Sequence, residues 1–247
     1  MTDGDSQQKA PGTLPPVSSR DRRSKPSVGL RSSDYLSMRP LMDWLADVAT
    51  RHVHGMLLDY GCGNQPYRPL FEPAATKYLG AAVAQNVTGT VEIIVRPGEP
   101  LPLEAESSDT VLSTQVLEHV TDPPAYLREV SRILRRGGVL ILTCPASYML
   151  HEEPNDYFRF TKYGLASLLS QAGLEVVEID EAGGAWRLMG QIFINHLVFG
   201  RRRTVPVLTG IFMRIAVPAC NIIFGTLDRL NRNEKDTVNY MAIARKA

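Results

Sequence analysis

The sequence is poor in cysteine and lacks a long uncharged apolar stretch. Cys62, Cys144 and Cys220 stand far apart in 247 residues, so they indicate neither a disulfide framework nor a zinc cluster. No segment carries the roughly 18 uncharged apolar residues that a membrane-spanning helix needs. No apolar stretch follows the N-terminal basic residues, so no signal peptide is predicted. These absences favour a reducing compartment, and we expect a cytoplasmic location.

The chain also lacks a charge imbalance. Its formal net charge is +1, which gives no general attraction to nucleic acid, so no nucleic-acid partner is predicted. Apolar residues make up 44% of the chain, enough for one domain with a sizeable core. Residues 1–30 are rich in Ser, Pro, Gly and charge, so we predict a disordered arm there. The folded domain is then expected to cover residues 31–247.

Strand and helix patterns alternate after the arm. Apolar residues at helical spacing predict a helix over 33–52, with a start or kink near Pro40. Further helices are predicted from Asp122 to a glycine stop at residues 137–138, and after Thr161; Asp122 and Thr161 can each cap a first turn. Seven strands are predicted at Met56–Tyr60, 77–83, 91–95, 110–113, 139–143, 174–179 and 238–244. This order predicts an α/β, Rossmann-like fold: a seven-stranded, mostly parallel sheet with helices on both faces.

An apolar insertion stands between the sixth and seventh predicted strands. Residues 184–235 contain two apolar stretches separated by Arg201, Arg202 and Arg203. Basic residues beside apolar helices suit the inner face of a membrane. They suit equally a helical cap over a substrate pocket or a contact between subunits. The sequence leaves these three alternatives, and the oligomeric state, open.

The most informative stretch is the turn after the first strand. Asp59 ends an apolar strand, and Gly61 and Gly63 follow with Cys62 between them. In an open α/β sheet such a turn lies at the ligand-binding edge, where glycine lets the backbone approach a ligand closely. We expect the N–H groups of residues 61–64 to face the ligand, and Asp59 to accept from an ammonium group. Cys62 is expected to be a small filler rather than a nucleophile.

Five ordered segments together resemble the class I methyltransferases that use S-adenosylmethionine (SAM). They are the strand and turn at 57–63, the stretch 101–103, strand residues 108–111, the stretch 115–120 and the turn at 134–139. The resemblance implies SAM as the cofactor. It also implies a cofactor site formed by Asp59, Gly61, Cys62, Gly63, Leu101, Gln115 and Glu118.

The chain departs from the family pattern at two positions. Ala82 stands where the family usually has an acidic residue that binds the ribose hydroxyls, and Pro97 stands where an acidic residue often lies near adenine. Each lost charge-assisted bond costs about 1.5–3 kcal/mol. Gln85, Asn86 and Glu99 are the candidates for compensation. A methyltransferase-like scaffold that has lost its cofactor is therefore an alternative.

Two histidines are the candidate catalytic residues, because an imidazole titrates near neutral pH and can take a proton from an alcohol. They are His119, after the fourth strand, and His151, after the fifth. A structural role is the alternative for both. Asp156 and Arg159 are expected to form an ion pair that shapes the loop. No metal site is predicted.

The spacing of His151, Asp156, Arg159 and Thr161 resembles a bacterial subgroup associated with sugar, polysaccharide or lipid modification. The resemblance therefore implies O-methylation of a sugar, polysaccharide or lipid-linked acceptor, with peripheral membrane contact through the insertion. A small aromatic or polyketide acceptor under an apolar lid is the other enzymatic alternative.

Overall fold

The computed structural model describes residues 28–199 and 206–247, with side chains in the last helix described from Met213 onward. Most of the predicted arm therefore lies outside the described residues. Residues 28–30 of the arm are described, and among them Val28 is buried and packs with core residues of the first helix. The folded domain thus includes residue 28, which lies before its predicted start at residue 31.

The strands and helices follow the predicted alternation. The strands are Met56–Tyr60 (β1), Lys77–Ala82 (β2), Ile93–Ile94 (β3), Ser108–Thr114 (β4), Leu134–Pro145 (β5), Leu174–Glu181 (β6) and Asn239–Lys246 (β7). The α-helices are Tyr35–His52 (α1), Arg68–Phe71 (α2), Pro123–Ile133 (α3), Lys162–Gln171 (α4), Ala185–Phe199 (α5) and Pro206–Leu230 (α6). A short 3-10 turn, Leu117–His119, precedes α3.

The seven strands form one sheet in the order β3-β2-β1-β4-β5-β7-β6. β7 pairs antiparallel with both of its neighbours, and the other pairs are parallel. The predicted mostly parallel, Rossmann-like sheet is therefore confirmed. The strand order reverses between β1 and β4, and ligands of open α/β sheets bind beyond the carboxyl ends of the strands at such a point.

Helix ends follow the predicted capping residues. The Asp122 carboxylate accepts from the N–H of Ala125, 2.9 Å away, and the Thr161 hydroxyl accepts from the N–H of Gly164, 3.1 Å away. α1 starts at Tyr35 and keeps Pro40 inside it, so the helix begins earlier than a start at Arg39. α3 ends at Ile133, so Gly137 and Gly138 lie within β5 and do not terminate the helix as expected.

α5 and α6 occupy the insertion between β6 and β7 and pack against each other and α1. Gly190 allows this close approach, because a Cβ there would lie 2.5 Å from the Phe224 ring. A buried ion pair joins the two helices, with Arg187 Nε 3.3 Å from Asp228 Oδ2. Among the described residues, no helix combines the length and apolar character needed to cross a bilayer.

Candidate active site

The turn after β1 requires glycine at Gly61. Its φ of +94° lies in the region that side chains disfavour, and an added Cβ would lie 2.3 Å from Val116 Cγ2. Gly63 also has a positive φ of +50°. The turn is thus held against the segment that follows β4, so the predicted cofactor turn and the predicted 115–119 segment lie together.

The first two N–H groups of the turn continue the sheet. Gly61 and Cys62 donate to the carbonyl oxygen of Ala81, at 2.7 and 3.0 Å. The expectation that the N–H groups of residues 61–64 all face a ligand is therefore wrong for these two. The physical reason is the parallel register, which pairs Tyr60 with Ala81 and brings the Ala81 carbonyl under the turn.

Asp59 lies beneath the turn and is almost fully buried, with 1% of its surface exposed. Its Oδ2 accepts from the Tyr78 hydroxyl, and its Oδ1 has no hydrogen-bond partner among the described residues. Burial raises the pKa of Asp59 from 3.8 to about 7, although the Tyr78 hydrogen bond opposes the shift. A buried acceptor without a donor suits a positively charged ligand group.

Cys62 is buried and its thiol is inert. Burial and the nearby Asp59 raise the pKa of the Cys62 thiol, so the nucleophilic thiolate is not available. Its sulfur lies 3.9 Å from the Gln65 amide nitrogen. This geometry agrees with the expected role as a small filler in the turn.

Two side chains that were candidates for replacing the missing ribose contact already make hydrogen bonds within the protein. Gln85 Oε1 accepts from the N–H of Val91 at 2.8 Å, and Asn86 Oδ1 accepts from the N–H of Thr90 at 3.0 Å. Both side chains therefore stabilise the loop between β2 and β3. Ala82 itself is buried, and it offers no polar group.

At the position predicted to lie near adenine, Leu101 is buried and its backbone is anchored to α3. Its N–H donates to Glu129 Oε1 at 2.7 Å. Leu101 and Glu99 help to line a cleft of about 230 Å³ beside the end of β3. Glu99 lies 3.6 Å from Arg96 Nη1 in an exposed pair, so it is the candidate for compensation that remains near solvent.

Gln115 follows β4 in a left-handed conformation, with φ of +54°. Its N–H donates to the Thr143 carbonyl at 2.9 Å, and its Nε2 lies 3.2 Å from Thr143 Oγ1. Both bonds tie the segment after β4 to β5. The described contacts of Gln115 therefore position this segment.

Glu118 is the most unusual residue of the segment. Its side chain is fully buried, and neither carboxylate oxygen has a hydrogen-bond partner among the described residues. Burial raises the pKa of Glu118 to about 8. Its backbone carbonyl accepts from the N–H of Tyr157 at 2.9 Å, so the loop after β5 folds over it.

His119 and His151 come together at this point. Their ring centroids are 4.8 Å apart with an edge-to-face geometry, and His119 Nε2 lies 3.9 Å from Glu118 Oε1. Burial lowers the pKa of His151, and the neighbouring Asp156 partly opposes this shift. The structure thus places both sequence-predicted histidines and Glu118 in one cluster.

The predicted ion pair between Asp156 and Arg159 is present. The guanidinium contacts the carboxylate through two bonds, of 2.6 and 2.7 Å. The same carboxylate accepts from the N–H of His151 at 3.0 Å. The pair therefore fixes the position of His151 in the loop.

Sequence reasoning missed the residues that position the acidic and basic groups. Tyr78 reaches Asp59 because the β1–β2 register puts it diagonally across the strands. The Asn155 carbonyl contacts His119 Nδ1 at 2.6 Å, and Tyr148 packs edge-on against His151. No local sequence pattern marks these residues, since each contact depends on strand register or loop folding.

The residues present fit the methionine end of SAM. The unpartnered oxygen of Asp59 suits an ammonium group, and Gly61 lets the turn above it pack closely against Val116. At the ribose end Ala82 provides no acid. The fit is thus concentrated at the β1 turn.

Comparison with known proteins gives a family match. The family described as "Methyltransferase domain" matches residues 58–142, from β1 through most of β5. An Arabidopsis thaliana mitochondrial ubiquinone biosynthesis O-methyltransferase is 25% identical over 181 residues, 59% of this chain and 56% of that protein. The Dinoroseobacter shibae ubiquinone biosynthesis O-methyltransferase is 32% identical over 155 residues, 49% of this chain and 60% of that protein. The match thus spans little more than half of either relative.

Solved structures share the fold. The Burkholderia thailandensis 1,6-didemethyltoxoflavin-N1-methyltransferase, solved with S-adenosylhomocysteine, has a TM-score of 0.52 at 15% identity, covering 85% of this chain and 77% of that chain. A SAM-dependent methyltransferase from Archaeoglobus fulgidus has a TM-score of 0.51 at 16% identity, covering 83% and 94%. At these identities the likeness concerns the fold.

Proposed function

Because the chain carries the domain of the class I SAM-dependent methyltransferases, we propose that it methylates a hydroxyl oxygen of an acceptor with an apolar part. Val116, two residues before Glu118, lies against Gly61 of the glycine turn. The observation that carries the proposal is the cluster that Glu118 forms with His119 and His151. Such a cluster is suited to removing a proton from an alcohol next to the methyl donor. Relatives named O-methyltransferases support oxygen as the methylated atom.

The residues of the turn hold the cofactor in this proposal. SAM, when bound, supplies an electrophilic methyl group. Asp59 accepts from its ammonium group, and Gly61 and Gly63 let the backbone lie close to it. Leu101 and Gln115 form the neighbouring walls. Alignment of the acceptor oxygen with the methyl group is the main catalytic requirement.

A lipid-linked acceptor is the class that α5 and α6 favour among those predicted. Both helices expose large apolar side chains, namely Met189, Ile192, Phe193 and Phe199 on α5 and Ile215, Ile222, Ile223 and Leu230 on α6. Exposed apolar side chains in this number suit contact with a lipid or a membrane surface. We therefore propose peripheral contact with the cytoplasmic membrane face through residues 184–235.

A small aromatic acceptor is the second candidate. Tyr157 and Phe158 are partly exposed on the loop that folds over Glu118. Aromatic side chains beside a candidate active site can stack on a phenol ring. This acceptor would need no membrane contact.

Calorimetry with SAM and S-adenosylhomocysteine tests the cofactor step first. We expect binding of both, and no heat change at millimolar ligand would overturn the proposal in favour of a cofactor-free scaffold. Labelled methyl transfer to panels of lipid-linked sugars, free sugars and phenols then identifies the acceptor. Flotation with anionic vesicles separates the lipid-linked acceptor, which predicts vesicle binding, from the phenol.

His151→Ala provides the matched catalytic test. We expect loss of methyl transfer with SAM affinity within about threefold of the wild type, since His151 lies away from the β1 turn in sequence and on the acceptor side in this proposal. His52→Ala, at a partly buried histidine that ends α1 outside this cluster, is the control and keeps full activity. Equal turnover by both variants would contradict the role of the cluster.

A further inference from the structure

Three donor groups from two separate segments converge at the carboxyl edge of the sheet. Glu118 and His119 come from the turn after β4, and His151 comes from the loop after β5. One ligand atom from each lies within 4.8 Å of the other two. Convergence of one carboxylate and two imidazoles is the donor set that transition-metal ions prefer in proteins.

Glu118 gives the first independent sign of a missing cation. Its carboxylate is fully buried, and within the described part of the chain neither oxygen accepts a hydrogen bond. An unpaired buried carboxylate is costly, whereas one that binds a metal is compensated. His119 Nε2 lies 3.9 Å from Glu118 Oε1, which is too far for a hydrogen bond.

The hydrogen bonds of the two histidines fix the correct tautomer for metal binding. His119 Nδ1 lies 2.6 Å from the Asn155 carbonyl oxygen. A carbonyl only accepts, so Nδ1 carries the hydrogen and Nε2 keeps its lone pair. His151 Nδ1 likewise faces two acceptors, the Met149 carbonyl at 3.3 Å and Asp156 Oδ2 at 3.2 Å.

This arrangement resembles the outer shell of protein metal sites. Metal-binding histidines commonly donate their second ring N–H to a carboxylate or a backbone carbonyl, which orients the ring. Here Asp156 takes that place for His151, and it is itself held by two bonds from Arg159. The ion pair therefore has a specific task, which is to hold the His151 ring with Nε2 available.

We propose that Glu118, His119 and His151 bind one divalent transition-metal ion, with Zn²⁺ the best match, and leave a coordination position open for the acceptor hydroxyl. Ligand atoms about 2.0–2.2 Å from Zn²⁺ in a tetrahedral site are about 3.4 Å apart. The observed 4.8 Å limit thus requires side-chain rotations that move the ligand atoms by about 1 Å. Sequence reasoning considered only cysteine spacing and predicted no metal site.

The role of the ion rests on the proposed function. An acceptor hydroxyl at the open position would have a lowered pKa, because the cation stabilises the alkoxide. With the ion bound, the histidines act as its ligands instead of as the proton acceptors of the metal-free cluster, so the hydroxyl proton leaves to water. The oxygen forms a bond to the methyl carbon, and the methyl–sulfur bond breaks with its electron pair left on sulfur. The site would favour acceptors with a second oxygen beside the reacting hydroxyl, because an ion that expands from four to five ligands can bind both oxygens.

Metal binding is tested on the full chain, independently of activity. Chelator-treated protein is titrated with Zn²⁺ by calorimetry and with Co²⁺ by visible absorption. We expect one ion per chain and a Co²⁺ spectrum of a low-coordinate nitrogen and oxygen site. Glu118→Gln and His151→Ala should each weaken binding at least tenfold, while His52→Ala binds as the wild type does. Melting curves show whether each variant is folded. If Glu118→Gln does not fold, His151→Ala in the loop still tests the site.

The outcomes separate this inference from the proposed function. Absence of binding at millimolar Zn²⁺ and Co²⁺, or equal binding by the wild type and both ligand variants, would overturn the metal site. Full methyl transfer by metal-free protein in chelator would overturn its role while leaving the methyltransferase proposal intact. Stoichiometric metal binding without SAM binding would support the site and contradict the proposed function.

Discussion

One proton on the Asp59 carboxyl should link protein stability to the proposed binding of the cofactor. Its pKa is 3.8 in an ordinary environment and about 7 in the fold, because burial disfavours the charged form. The native state therefore holds this proton more tightly than the unfolded state. The stabilisation is complete below the unfolded pKa and is lost as the pH rises towards the folded pKa.

The magnitude follows from the two pKa values. A difference of about three units corresponds to about 4 kcal/mol in total at 1.36 kcal/mol per unit. Between pH 5 and pH 8 the linkage relation gives a loss of about 2–3 kcal/mol from Asp59. Asp59→Asn removes the titration and retains an oxygen that accepts from Tyr78.

Urea unfolding of the wild type and Asp59→Asn at pH 5, 6.5 and 8 measures this effect. We expect the free energy of unfolding of Asp59→Asn to rise relative to the wild type by about 2–3 kcal/mol over this range. The unpaired amide of Asp59→Asn changes the free energy of unfolding by the same amount at every pH. It therefore does not affect the pH dependence. Asp236→Asn, on an exposed residue, is the control and should run parallel to the wild type. A pH-independent gap for Asp59→Asn would refute the reasoning.

Cofactor affinity should change in the opposite direction. An ammonium group binds the ionised carboxylate, so SAM affinity of the wild type should increase as the pH rises through about 7. Asp59→Asn should weaken SAM binding about ten- to a hundredfold at pH 8, the cost of one charge-assisted hydrogen bond. Unchanged calorimetric affinity in the variant would show that Asp59 does not contact the cofactor.

Three further predictions concern the turn, the insertion and the loop. Gly61→Ala should destabilise the protein by about 1–3 kcal/mol more than Gly89→Ala in urea unfolding, because both glycines have positive φ but only Gly61 has a side chain against it; equal losses would refute this. Asp228→Ala should cost about 3–5 kcal/mol in thermal unfolding, since it leaves the Arg187 charge buried; a loss below about 1 kcal/mol would contradict a buried pair. Asp156→Ala should lower methyl-transfer turnover at least tenfold with SAM affinity unchanged in calorimetry, since it releases His151; unchanged turnover would contradict the positioning role.

Local patterns were sufficient for most elements but not for every boundary. The Asp122 and Thr161 caps were predictable because a cap acts within three residues of its own backbone. The end of α3 was not, since Leu134 leaves the helix to pair with Ser108 on a distant strand. Glycines 137 and 138 look like a helix stop in the sequence, and strand pairing overrides that pattern.

Some features of the candidate site were likewise predictable from local sequence, whereas others were not. The glycine turn was readable because steric freedom at Gly61 and Gly63 is a property of the residues themselves. The sequence did not predict that the N–H groups of Gly61 and Cys62 donate to the Ala81 carbonyl, because these hydrogen bonds depend on the register between β1 and β2. The role of Tyr78 at Asp59 depends on the same register.

The sequence by itself determined the alternating sheet, the acidic residue and glycine turn after β1, and the identity of both candidate histidines. These follow from side-chain periodicity and backbone sterics, which are local. Only the tertiary structure decided that Glu118, His119 and His151 lie together and that neither carboxylate oxygen of Glu118 accepts a hydrogen bond from the described residues. The physical reason is that burial and convergence are produced by chain segments about 30 residues apart meeting at one sheet edge, where the parallel strands β4 and β5 both end.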